Sequence, residues 1–137
     1  MRGLSTCLAG GVLLASVAVA QAPAPKAPAA KAPGYDIAAV VTVTGVVRDH
    51  HESTAPADHP GLHLVVQVEA ETEPVEVHTC PMRFLKALDF AVETGDTLTI
   101  VGSRPSGGPI VVARELKKGN LSLNVRDAKG EPLWLGF

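Results

Sequence analysis

The feature that most constrains this chain is a single break in a two-residue hydrophobic period. From Asp36 to Asp127 short stretches rich in Val, Leu and Thr follow one another between turn residues. In "LHLVVQVEA" Leu62, Leu64, Val66, Val68 and Ala70 share one face, and His63, Val65, Gln67 and Glu69 share the other. "PVEVHTC" alternates again, with Val75, Val77 and Thr79 inward and Glu76, His78 and Cys80 outward. The period then changes once. In "PMRFLKALDFAVE", Met82, Leu85, Leu88 and Phe90 to Val92 recur at helical spacing, with Pro81 suited to the helix start and Gly95 to its stop.

"DIAAVVTVTGVVRDH" reads as a long first strand, and Gly45 in its middle marks a bulge or sharp bend. After the helix come the strands "DTLTIVGS", "IVVAREL" and "LSLNVRD", then an apolar end, "EPLWLGF". The expected fold is all-β with one short helix: a five-stranded OB-fold-like barrel plus a C-terminal hairpin extension. The motifs "TGVV", "GLHL", "VEVH", "GDTLTIVGS" and "LNVRDAKGEPLW" carry a resemblance from about Tyr35 to Trp134. They resemble small exported bacterial OB-fold proteins. That resemblance implies a barrel and names no ligand, because the fold hosts unrelated activities.

Residues 1–20 are expected to form a secretory signal, with the apolar run Leu8 to Ala20 ending in Ala18-Val19-Ala20. Cys7 precedes that run, which argues against a lipoprotein signal. Residues 21–34, "QAPAPKAPAAKAPG", form an extended Ala/Pro/Lys spacer. Residues 35–137 form the domain. The expected location is outside the inner membrane, in the periplasm, with no membrane span once the signal is removed. One cysteine, Cys80, then remains, and an internal disulfide is excluded.

The domain has nine basic and fourteen acidic residues, a net charge of −5 with histidine neutral. That balance counts against nucleic acid and anionic membranes. No aromatic residue falls on the outward positions of the second and third strands, where such a fold would stack bases. An exported protein, a peptide or a neutral small ligand fits better.

Three chemical constellations remain. A two-residue turn at Glu71-Thr72 would pair His63 with Cys80 and Val65 with His78; a turn at Thr72-Glu73 would pair Val65 with Cys80 and Gln67 with His78. The first register gathers His63, His78 and Cys80 into a site for Cu(I) or Zn(II), with Met82 as an added thioether for copper. Against this, a cysteine entering a helix is commonly a small core filler. "DHHESTAPADHPGLH" adds His50, His51 and His59 with Asp49, Glu52 and Asp58 in the loop between the first two strands. It is either a solvated loop or a weak Zn(II) or Ni(II) site. Finally, Cys80 near His78 could be an activated thiol in a redox protein. No nucleophile-elbow, Cys-His-Asn or His-Glu-x-x-His motif is present, so the expectation is a non-catalytic binding module accessory to a cell-envelope protein or small ligand.

Overall fold

The computed structural model describes Gly3 and residues 33–137. The expected signal and all but the end of the spacer lie outside the described residues. Six strands follow in chain order: β1 (Val40–Ser53), β2 (Gly61–Val68), β3 (Val75–His78), β4 (Thr97–Ser103), β5 (Ile110–Lys118) and β6 (Leu121–Asn124). One short helix, α1 (Met82–Ala87), lies between β3 and β4. The sheet order is β3-β2-β1-β4-β5-β6, and a parallel β3–β5 pairing closes the first five strands into a barrel. The expected OB-fold-like barrel is present. β6 extends it as a hairpin with β5, followed by an Arg126–Pro132 bridge.

β1 is long because it serves both halves of the barrel. Val40 to Val46 pair with β4, and Gly45 to Ser53 pair with β2. Gly45 is the shared corner. A Cβ there would fall on the Gln67 carbonyl and the Val66 side chain, so the close crossing requires glycine. The bulge itself comes three residues later, where Arg48 is the extra residue between Val47 and Asp49.

The barrel interior holds Val43, Val47, Leu64, Val66, Val77, Leu98, Ile100 and Leu116, all buried. Phe84 and Leu85 of α1 join this core, and each such side chain contributes about 1.5–3 kcal/mol by leaving water.

Two expectations are corrected. The helix stops at Ala87 rather than running to Glu93. Asp89 takes a left-handed φ of 53°, the Phe90 N–H returns to the Leu85 carbonyl, and Leu88 is left exposed. Gly95, with φ 96°, serves instead the turn into β4. Neither of the two expected β2–β3 registers forms. The connection is a longer loop from Glu69 to Pro74, held by Glu71 to Arg104 at 2.6 and 2.9 Å. Gln67 spans this loop, donating to the carbonyl of Glu71 at 2.7 Å. The resulting register pairs His63 with His78 and Val65 with Glu76.

Candidate metal centre

His63 and His78 project from the outer face of the β2–β3 hairpin, yet both are fully buried. Their cover is the β1–β2 loop. Pro56 to Asp58 form one 3-10 turn, anchored where Ser53 Oγ donates to Asp58 Oδ2 at 3.0 Å. His59 then turns through the left-handed region, φ 49°, and lays its ring edge-on against His78. The loop is thus folded down onto the hairpin.

Glu76, two residues before His78 on the same face, completes the arrangement. Its Oε1 lies 3.0 Å from His63 Nδ1 and 3.1 Å from His78 Nε2. Asp58 approaches the same two nitrogens at 3.8 and 4.0 Å. The donor atoms of Asp58, His63, Glu76 and His78 all lie within 4.8 Å of one another. Ligands around a tetrahedral ion, at metal distances near 2.0–2.1 Å, stand about 3.3 Å apart. The Glu76 distances lie slightly inside that figure and the Asp58 distances slightly beyond it.

The far sides of both imidazoles are tied to one residue. His63 Nε2 lies 2.9 Å from the His59 carbonyl, an acceptor, so that nitrogen carries hydrogen. His78 Nδ1 lies 3.0 Å from His59 Nδ1 and can donate to it. That assignment leaves the lone pairs of His63 Nδ1 and His78 Nε2 aimed at two carboxylates. At His63 Nδ1, whose other nitrogen must donate to a carbonyl, the facing Glu76 oxygen leaves an acceptor pair that a proton or a metal ion between them reconciles, and His78 Nε2 can face the same cation when its Nδ1 donates to His59.

The local electrostatics favour neutral His59 and His78. His59 is pushed down to about 4, by burial first and then by neighbouring His78, Arg126 and His63, against which Asp58 acts. His78 is lowered by burial and by His63, while Glu76 and Asp58 pull the other way. Neutral imidazole is the form that ligates metal.

Cys80 does not join this group. Its thiol is turned into the barrel core, 1 % exposed, and burial pushes it up to about 12. The β3 strand ends at His78, so its alternation no longer governs Cys80. Met82 packs partly buried against the core. His51 is the strand partner of His63 and meets its ring edge-on at 5.2 Å; both His50 and His51 are exposed. Val65 pairs with Glu76 and brings no donor atom.

Residues 39–123 match the MamS/MamX magnetosome protein family. The chain belongs to that family. No curated protein and no solved structure matches it. The MamS/MamX match spans the barrel from the entry of β1 into β6, so all four donor residues lie within it. Glu76 could have been found from the alternation that set it beside His78. Asp58 belonged to a loop whose fold the residues did not announce.

Proposed function

We propose that this MamS/MamX protein is an exported, non-catalytic accessory module that holds one divalent transition-metal ion between Asp58, His63, Glu76 and His78. The observation that carries this reading is the convergence of four donors on one point, with both imidazoles oriented by His59 from behind. Two imidazoles and two carboxylates suit a borderline ion such as Zn(II), Fe(II) or Ni(II); without the thiolate, the set is too hard for Cu(I). The donors offer imidazole and carboxylate lone pairs, the ion offers charge compensation, and the β1–β2 loop excludes water from the histidine side. The family's magnetosome designation agrees with an accessory role beside a membrane-bounded compartment. The periplasmic address follows from the reading of residues 1–20.

Titration calorimetry on metal-free protein with Zn(II), Ni(II), Fe(II) and Cu(I) tests the reading. About one divalent ion should bind per chain. Glu76→Gln, a half-exposed change that preserves shape, should weaken binding at least about tenfold. Absence of binding to the wild-type protein at micromolar metal would sink the proposal.

A further inference from the structure

Beyond the metal centre, Arg126 is only 5 % exposed, and its guanidinium has no acidic partner within salt-bridge distance among the described residues. Nη1 donates to the carbonyls of Ala113 and, at 3.4 Å, His78. Nε and Nη2 make no hydrogen bond to the described residues. The Trp134 ring lies 4.9 Å from the guanidinium carbon. Carbonyls and an aromatic face soften the burial of this charge but do not neutralise it, and an unpaired buried charge is costly.

The guanidinium lines a cleft of about 390 Å³ that it shares with Tyr35, His59, Arg83, Pro132 and Trp134. The Tyr35 hydroxyl is buried without a hydrogen-bond partner among the described residues. Its ring is seated on Gly130, whose φ of 87° and absent Cβ leave the space the ring occupies. A buried hydroxyl normally finds a hydrogen-bond partner, so this one is an unused donor. The Arg126 guanidinium, the residue that carries the unpartnered hydroxyl and an apolar wall therefore line one opening of ligand size.

We propose that this cleft binds an apolar carboxylate, with the Arg126 Nε and Nη2 fork and the Tyr35 hydroxyl on the carboxylate and the apolar body against Trp134 and Pro132. The planar fork matches two carboxylate oxygens, and Arg83 adds a second positive charge at the rim. An acid of one aromatic ring fits with room to spare in about 390 Å³, and it can be a free organic acid or the C-terminal residue of a peptide. The cleft contains none of the four metal donors, although it borders them through His59 and the Arg126 contact to the His78 carbonyl.

The test is an NMR titration of the metal-free, ¹⁵N-labelled protein with benzoate, benzamide, N-acetyl-phenylalanine and inorganic phosphate. Benzoate should shift the Trp134 indole and Arg126 Nε signals saturably, and benzamide and phosphate should not. Tighter binding of N-acetyl-phenylalanine supports a peptide terminus, and tighter binding of benzoate supports a small acid. Tyr35→Phe should weaken the preferred acid about tenfold, the worth of a hydrogen bond to a charged group. This variant keeps the core intact, so the test stands even if Arg126→Gln fails to fold. No saturable shift, equal shifts with benzamide, displacement by phosphate, or unchanged affinity in Tyr35→Phe would each overturn the proposal.

Discussion

His63 and His78 face each other across the β2–β3 pairing with their rings stacked, 3.9 Å between centroids and 11° from parallel. The nearby His63 ring is one of the causes, after burial, that lower His78. Their near nitrogens share one carboxylate oxygen, Glu76 Oε1, and their far nitrogens share one residue, His59.

In the proposed metal centre His59 is therefore an orienting residue rather than a donor. His59→Gly, which suits the left-handed backbone, should keep the loop path and remove the ring behind His78. Loss of such an outer partner lowers metal affinity by about 10–100-fold. Calorimetric Zn(II) titration of the variant checks this, and wild-type affinity would contradict the orienting role.

Acid should destabilise the metal-free domain. Below about 6.5 the unfolded chain takes up protons at His59 and His78 that the folded chain refuses, His59 until about 4. Stability is thus fully present above 6.5 and falls as pH drops from there toward 4. For His59, partly exposed and so partly screened, the contribution is about 1–2 kcal/mol. Urea midpoints at about pH 7 and pH 4.5 measure the difference, and His59→Gly should reduce it.

Cys80 should behave as core. With its thiol pushed up to about 12, alkylation at about pH 8 should be slow in the folded protein and fast in denaturant. Cys80→Ala should leave Zn(II) affinity unchanged, because no thiolate belongs to the donor set. Loss of metal in that variant would restore sulfur to the site.

Gly45→Ala should cost about 1–3 kcal/mol, since its methyl group meets the backbone of Gln67, which cannot swing away. A lowered urea midpoint with an unchanged slope would register this as a change in stability alone.

The strands were legible because Leu62 to Val68 and Val75 to Val77 alternate so regularly that only one face could be interior. His63 and His78 followed from that alternation. Their direct opposition did not, because it depends on a longer connection stabilised by Glu71 and Arg104, a contact between residues far apart in sequence. Cys80 was misplaced by carrying the alternation past the strand's last residue. Asp58 and the left-handed turn at His59 depend on tertiary packing over the hairpin. Arg126 gave no local signal, since its neighbours Trp134 and Tyr35 come from opposite ends of the domain.

The loop that supplies Asp58 and His59 is not part of the barrel's hydrogen-bonded closure. Scaffold and loop are therefore separable by design: if the proposed ion is held, exchanging residues 54–60 should retune the preference among ions while the strands that present His63, Glu76 and His78 stay as they are.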